Sequence, residues 1–416
     1  MQTNLSNHKI MKFLVALFII FLPVNNYYFK FGNIPLYFYQ IIFVLIFLSF
    51  ILINYKKLLI PKNTIILVII LSLYIISIIN ATNYIFYMRK ILRIIAGIFI
   101  YIYFFNFIKK NKFDFIYRLL IYSGSIVILF SFFEWIFIYF DFEFFLFNIK
   151  TYFKNLPRAD GTFTDPNHLS LYIGTILILI INKAMSYKIN IFEKIITFIG
   201  LLVLFLTFSR SSILSFLISF IFSIIIYKIK YKKRFRIFNK TILFFILILI
   251  IIILFPNTNI FLDRILSSFN LTTGNVSIRF RIWKVAKNMI IANPIFGVGA
   301  GNFINNFTEY INDVNLPIKR NRVAHNSIIE IIAETGILSA ILILLFIAIF
   351  IFKSILVIIK SNNLINVNNL MGLVMIIIFI SFVSIFLSNI FYKEIFWLYI
   401  GSGYAILNNI RKDILY

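Results

Sequence analysis

Long apolar runs recur along this chain from end to end, broken by short polar stretches rich in lysine. With about 20 residues needed per bilayer crossing, the pattern predicts about twelve membrane spans. They fall at 11–29, 34–53, 64–80, 91–108, 117–140, 167–186, 191–208, 211–227, 241–256, 337–359, 370–391 and 395–410. One stretch escapes the pattern, from Pro256 to Gly336. At roughly 80 residues it is too long for a plain connector, and loops of that length usually carry function. The fold class expected is an all-α integral membrane protein in three parts. These are an N-terminal bundle of about nine spans over 1–256, an external loop with interfacial helices over 257–336, and a C-terminal bundle of about three spans over 337–416.

Helical periodicity continues inside the long loop. In Ser277–Pro294, Ile278, Ile282, Val285 and Met289 recur at helical spacing among Arg279, Arg281, Lys284 and Lys287. This predicts a basic amphipathic helix on the outer interface, ended at Asn293 by Pro294. FGVGAGNF follows, a glycine-rich turn that permits close approach of a ligand or a neighbouring backbone but lacks the spacing of a dinucleotide fingerprint. Ser327-x-x-Glu330 matches a capping box. A helix started there and run to Lys353 would be roughly 40 Å long, more than the apolar core of a bilayer, so Glu330 and Glu334 are expected in the external headgroup layer.

Composition supports the membrane class. The chain of 416 residues is 62% hydrophobic and only 13% charged, with a mean hydropathy of +0.98; a soluble domain carries roughly 25% charged residues. The net charge of +26 would suit nucleic acid, yet the lysines sit in the short loops that orient a membrane protein, and nucleic-acid binding is set aside. Lys56, Lys57, Lys62, Lys109, Lys110, Lys112, Lys183, Lys188, Lys353 and Lys360 fall on one side, together with the run from Lys228 to Lys240. Both termini are then expected in the cytoplasm, and the first apolar run reads as a retained span, not a cleaved signal. The same assignment puts an Arg89–Arg93 loop, the segment 141–166, the turn at Arg210 and the long loop outside. With no cysteine, disulfide and thiol chemistry are excluded.

The external polar residues carry the candidate chemistry. Arg210, in LTFSRSSIL, sits in a tight turn between two spans; it is either a snorkelling cation or, more in keeping with its depth, an anion clamp. Arg279 and Trp283 are four residues apart and share a helix face. In PRADGTFTDPNHLSLYIG, Asp165-Pro166-Asn167 is a helix start and His168 lies just inside it. Asp160 and Asp165 lack a partner set with metal spacing, so no metal and no cofactor is expected. His325 is one of three histidines in the chain and stands at the positive end of a predicted helix, near Arg320 and Arg322. Both influences disfavour imidazolium and leave a neutral base, although an ordinary interfacial histidine fits the residues equally well.

Four stretches, RADGTFTDPNHLSLYIG, LTFSRSSIL, RFRIWKVAKNMIIANPIFGVGAGNF and AHNSIIEIIAETGILSA, resemble in sequence and order the O-antigen ligase and O-antigen polymerase family of polytopic membrane glycosyltransferases. They cover about 160–340; the first half of the chain matches only as hydrophobic spans. The resemblance implies metal-independent glycosyl transfer at the outer face of the bacterial cytoplasmic membrane. The donor would be an undecaprenyl-diphosphate-linked oligosaccharide and the acceptor a glycan hydroxyl, with membrane lipid and a chain-length regulator as further partners. Carried over by motif, Arg210 and Arg279 would hold the diphosphate, with Arg281 as an extra cation beside them, and His325 would be the catalytic base. Arg158 would correspond to the arginine before the family's Gly-Thr-Phe, and Arg320, Arg322 and Glu330 would be further substrate contacts.

The leading expectation is a polymerase of O-antigen or capsular repeat units, with transfer of finished glycan onto lipid A–core as the alternative. A flippase or transporter of lipid-linked sugar fits less well. Glu134 is the one clear acid within a span and lies toward its end, while the polar residues gather on one external face.

Overall fold

The computed structural model describes residues 2–24, 28–31, 34–54, 58–142, 152–153, 156–231, 274–311, 314 and 322–415. Apart from two short hairpins, Tyr28–Phe31 with Ile34–Tyr37 and Tyr152–Phe153 with Leu156–Pro157, the described elements are helices. We number them α1 (Gln2–Phe21), α2 (Phe38–Asn54), α3 (Thr64–Ile76), α4 (Tyr84–Lys110), α5 (Phe113–Tyr139), α6 (Pro166–Ser186), α7 (Ile191–Leu206) and α8 (Arg210–Tyr231). There follow α9 (Gly274–Ala292), α10 (Phe303–Asn306), α11 (Ser327–Thr335), α12 (Ile337–Lys360), α13 (Leu364–Ser384) and α14 (Glu394–Leu415).

Among the described residues, α4, α5, α6, α8, α12 and α13 are long and apolar enough to cross a bilayer, and two shorter apolar helices lie at Phe38–Ser49 and Thr64–Asn80. The chain is a helical, multi-pass membrane protein. Apart from 241–256, each predicted span overlaps a helix, but the first outlasts α1, 34–37 is the second strand of the first hairpin, 207–208 lies beyond α7, and 370–391 runs past the end of α13 at Ser384. The span at 241–256 and the basic run from residue 232 to Lys240 lie outside the described residues.

Three expectations are corrected. The first helix runs from Gln2 to Phe21 and gives way to the first hairpin, not continuing to 29; Pro23, which cannot extend a helix, stands between them. Arg89–Arg93 is not a loop but part of α4, which starts at Tyr84. Asn83 starts it by accepting from the backbone amides of Ile85 and Phe86. The overlong helix from Ser327 is two helices, α11 and α12, divided at Gly336. There φ is +85° and ψ 166°, a conformation open to glycine alone.

The chain forms two compact units. The first comprises Met1–Leu59, Asn106–Thr258 and Ser361–Phe379, in which α5, α6 and α7 pack on one another and α8 packs on α6. Small residues let these helices close: a Cβ at Gly124 would meet the Ile176 side chain at 2.7 Å. Ser212, Ser215, Ser219 and Ser223 form a buried stripe along α8. From it, Ser219 donates to the Met375 carbonyl of α13 at 2.9 Å. The second unit comprises Ile60–Phe105, Asn259–Lys360 and Ile380–Tyr416. Its core includes Ile282, Val285 and Met289 of α9, packed against Val298, Phe303, Phe307 and Ala333. The apolar stripe of α9 is thus buried in protein, not laid on lipid as expected.

Candidate functional site

In the first unit the polar turn before α6 and the turn before α8 are knitted together. Asp165 caps α6 by accepting from the Asn167 amide at 2.6 Å, as Asp-Pro-Asn predicts. Ser209 Oγ donates to Asn167 Oδ1 at 2.9 Å, and Ser170 donates to Ser212 at 2.7 Å. The Ala159 amide donates to the Leu206 carbonyl at 3.0 Å, and Arg158 Nε to the Thr207 carbonyl at 2.9 Å. Phe208 takes a left-handed φ of +51° to reverse the chain, so that α8 opens on half-buried Arg210. Behind the turn, Glu134 accepts from the Gly161 amide at 2.8 Å and Trp135 donates to the Pro157 carbonyl at 2.8 Å. The acid noted within the fifth span is therefore an acceptor that holds the Arg158–Gly161 turn.

This framework brings Arg158 and Arg210 into each other's field. Burial lowers the Arg158 pKa most, Asp165 and Asp160 oppose that shift, and Arg210 adds to it. Arg158 Nη2 is buried with no hydrogen-bond partner. A guanidinium with an unsatisfied donor beside a second guanidinium is the electrostatic outline of an anion site.

The second unit holds Arg279, Arg281, Arg322, His325 and Glu330. Arg279 and Arg281 are half-buried on α9. One turn beyond Arg279, Trp283 Nε1 donates to the Ala324 carbonyl at 2.9 Å, which fixes the residue before His325 to the same helix. His325 is half-buried with φ +50°, a left-handed conformation uncommon outside glycine, which turns the chain into α11. Asn326 caps that helix by accepting from the Ile328 and Ile329 amides. The predicted capping box from Ser327 to Glu330 is replaced: Ser327 Oγ donates instead to the Leu387 carbonyl at 2.5 Å. Arg322 is half-buried, with its Nε lacking a hydrogen-bond partner. Arg320 lies outside the described residues.

Glu330 and Glu334 do not stand out in a headgroup layer; they are 4% and 2% exposed. Lys90 of α4, itself 6% exposed, meets Glu330 Oε1 at 2.8 Å and Glu334 Oε2 at 3.1 Å. Its ammonium also donates to Asn389 Oδ1 at 2.7 Å and lies 4.1 Å from the centre of the Tyr392 ring. Tyr392 in turn shares a 2.6 Å hydrogen bond with Tyr74. Burial pushes the Glu334 carboxyl up, Lys90 pulls it down and Glu330 raises it further, the net direction being upward. Sequence reasoning missed Lys90 because it lay in a stretch read as loop. The available signal was the apolar run continuing on both sides of it through Tyr84–Lys110.

The glycine-rich turn after α9 approaches neighbouring backbone. A Cβ on Gly297 would meet the Glu334 carbonyl carbon at 2.3 Å, and the Val298 amide donates to the Ala333 carbonyl at 2.8 Å. The turn thereby locks α9 to α11, the two helices that flank His325.

Comparison with known proteins bears on this region. A search of curated proteins finds no match. Residues 195–344 match the family described as O-antigen ligase, a segment that includes Arg210, Arg279, Trp283 and His325. Over that segment the chain is similar to the O-antigen ligase family, in agreement with the resemblance carried by the sequence motifs.

Proposed function

We propose that this protein polymerises O-antigen or capsular repeat units. It would transfer an undecaprenyl-diphosphate-linked glycan to a sugar hydroxyl at the outer face of the bacterial cytoplasmic membrane. The observation that carries the reading is the Trp283–Ala324 hydrogen bond, inside the family-matched segment, which anchors the histidine turn to the helix bearing Arg279. Breaking the anomeric C–O bond leaves charge on the diphosphate, and Arg210, Arg279 and Arg281, with Arg158 beside Arg210, are suited to stabilise it. The acceptor oxygen attacks the anomeric carbon as that bond breaks, and neutral His325 takes the hydroxyl proton. One displacement of this kind inverts the donor carbon and needs no metal ion; retained stereochemistry in the product would exclude it. Arg320, Arg322 and Glu330 would be further substrate-binding residues, Glu330 being paired with Lys90. The twelve-span topology with both termini in the cytoplasm belongs to the same reading.

The family description itself supports a second reading, transfer of finished glycan to lipid A–core by a ligase. A gel of surface glycan from a His325→Ala strain separates the two. Lost polymerase leaves core carrying one repeat unit, whereas lost ligase leaves bare core with polymer held on the polyprenyl carrier. An unchanged ladder at normal protein level removes His325 from the mechanism. A flippase would instead leave labelled donor in the cytoplasmic leaflet of a deletion strain.

A further inference from the structure

At the end of the first unit opposite Arg158 and Arg210, four helix ends surround a cavity of about 400 Å³. They are the starts of α5, α7 and α13 and the end of α6. The size is within the range of small-molecule pockets. Asn167 at one end of α6 and Lys183 at the other are about 24 Å apart along the helix, so the cavity is remote from the arginine turn. It lies among Lys112, Lys183 and Lys188, lysines of the kind that mark the cytoplasmic side.

The lining is polar, aromatic and built. Glu193 accepts from Lys183 at 2.7 Å and from Tyr117 at 2.9 Å, and completes a capping box with Asn190. Lys183 also lies 4.9 Å from the centre of the Tyr117 ring. That network satisfies its own charges. Two lining features remain available. Asn182 is 4% exposed and gives its amide hydrogen to the Asn368 carbonyl at 2.7 Å, while its Oδ1 is buried with no hydrogen-bond partner. At the mouth, Asp114 and Arg118 are exposed and stand one turn apart on α5. A carboxylate, a guanidinium and a buried acceptor call for a ligand with an anionic group and a hydrogen-bond donor a few bonds away. Tyr122, Ile126, Phe192 and Ile195 continue from the mouth as an exposed apolar strip on α5 and α7, the first and third with ring centres 6.5 Å apart.

We propose that this cavity binds the headgroup of a zwitterionic, amine-bearing phospholipid from the cytoplasmic leaflet. The phosphate meets Arg118, the ammonium meets Asp114 and the Asn182 carbonyl, and an acyl chain lies along the α5–α7 strip. The site fastens the cytoplasmic ends of α6 and α7, whose other ends adjoin the turns that carry Arg158 and Arg210.

The test uses the purified full-length protein, with native mass spectrometry for co-purified lipid and titration for affinity. The probes are short-chain phosphatidylethanolamine, phosphatidylglycerol with the same chains, and soluble glycerophosphoethanolamine. The expected result is one retained phosphatidylethanolamine. Arg118→Gln and Asp114→Asn, both at exposed positions, should each weaken its binding about tenfold, the loss of one charge-assisted hydrogen bond, at unchanged thermal stability. Phosphatidylglycerol bound as tightly and indifferent to Asp114→Asn would reduce the cavity to a plain anion site and overturn the proposal. Soluble glycerophosphoethanolamine bound as tightly as the lipid would overturn the membrane source. Absence of binding by any probe would overturn the site itself.

Discussion

The indole of Trp283 donates to the carbonyl of Ala324, the residue before His325, across 2.9 Å. This bond joins α9, which carries Arg279, to the turn that presents the histidine. Trp283→Phe keeps a ring in the core yet leaves the Ala324 carbonyl without its donor, a change costing about 1–3 kcal/mol. If the bond orients His325, a large part of that cost appears in the transfer step. Turnover should then fall about tenfold at a given donor concentration while the melting temperature shifts by only a few degrees. A loss confined to stability, with turnover per folded molecule unchanged, would make Trp283 a packing residue alone.

Lys90 is buried against two carboxyls, Glu330 and Glu334. Lys90→Met strands both acids without a cation, and breaking a buried pair in this way costs about 3–5 kcal/mol. The variant should express poorly or melt well below the parent. Lys90→Met with Glu330→Gln and Glu334→Gln removes the stranded charge and should recover much of the loss. Thermal denaturation of the three forms in one detergent checks the order.

Glu334 also sets a pH dependence. Its carboxyl lies above the ordinary carboxylate range in the folded protein because it is buried, with Lys90 opposing that shift and Glu330 adding to it. A carboxyl raised on folding binds its proton more tightly in the native state, so its contribution is full below the unfolded pKa, near 4.5. It is lost as pH rises from there through the folded value. The parent should therefore lose stability relative to Glu334→Gln as pH is raised through that window. Parallel melting curves for the two across pH would show that Glu334 does not titrate on unfolding.

Much of this was legible in the sequence because bilayer length and helical periodicity are strong constraints. α5, α6 and α12 begin and end within a few residues of the predicted spans, and Asp165-Pro166-Asn167 starts α6 as its turn chemistry implies. The placement of charges was less legible. Glu330 and Glu334 looked external because nothing local announced that Lys90, 240 residues away from Glu330, would neutralise them. A long-range ion pair has no periodic signature. Likewise the stripe of α9 fitted lipid or protein equally well, since periodicity reports a buried face and not what buries it.

Gly336 was a further break that the hydrophobic pattern concealed, since apolar residues run on both sides of it. With φ at +85°, a side chain there is strained, and its Cβ would fall 1.8 Å from the Ile295 carbonyl oxygen. Gly336→Ala should lose at least the ~1–3 kcal/mol of such backbone strain, with displacement of the Ile295 backbone in addition. Pulse-chase measurement of protein lifetime and a melting curve should both show the loss. A stable, fully active Gly336→Ala protein would mean that α11 and α12 can join without cost.

Arg210 adds to the burial that lowers the Arg158 pKa, and Arg158 has a buried donor without a partner. If both clamp the donor diphosphate, Arg158→Gln and Arg210→Gln should each slow transfer by about 10²–10³, the cost of removing one donor from a preorganised anion site. Lysine should restore little at either position, because an ammonium cannot reproduce a two-pronged guanidinium contact. The double variant should lose less than the product of the single losses, since both groups act on one charge. Arg158 also donates to the Thr207 carbonyl, so a purely structural role predicts a different outcome. In that case Arg158→Gln would lower the melting temperature and the protein level, with turnover per folded molecule unchanged. In vitro transfer from purified lipid-linked donor, normalised to folded protein, distinguishes the clamp from the brace.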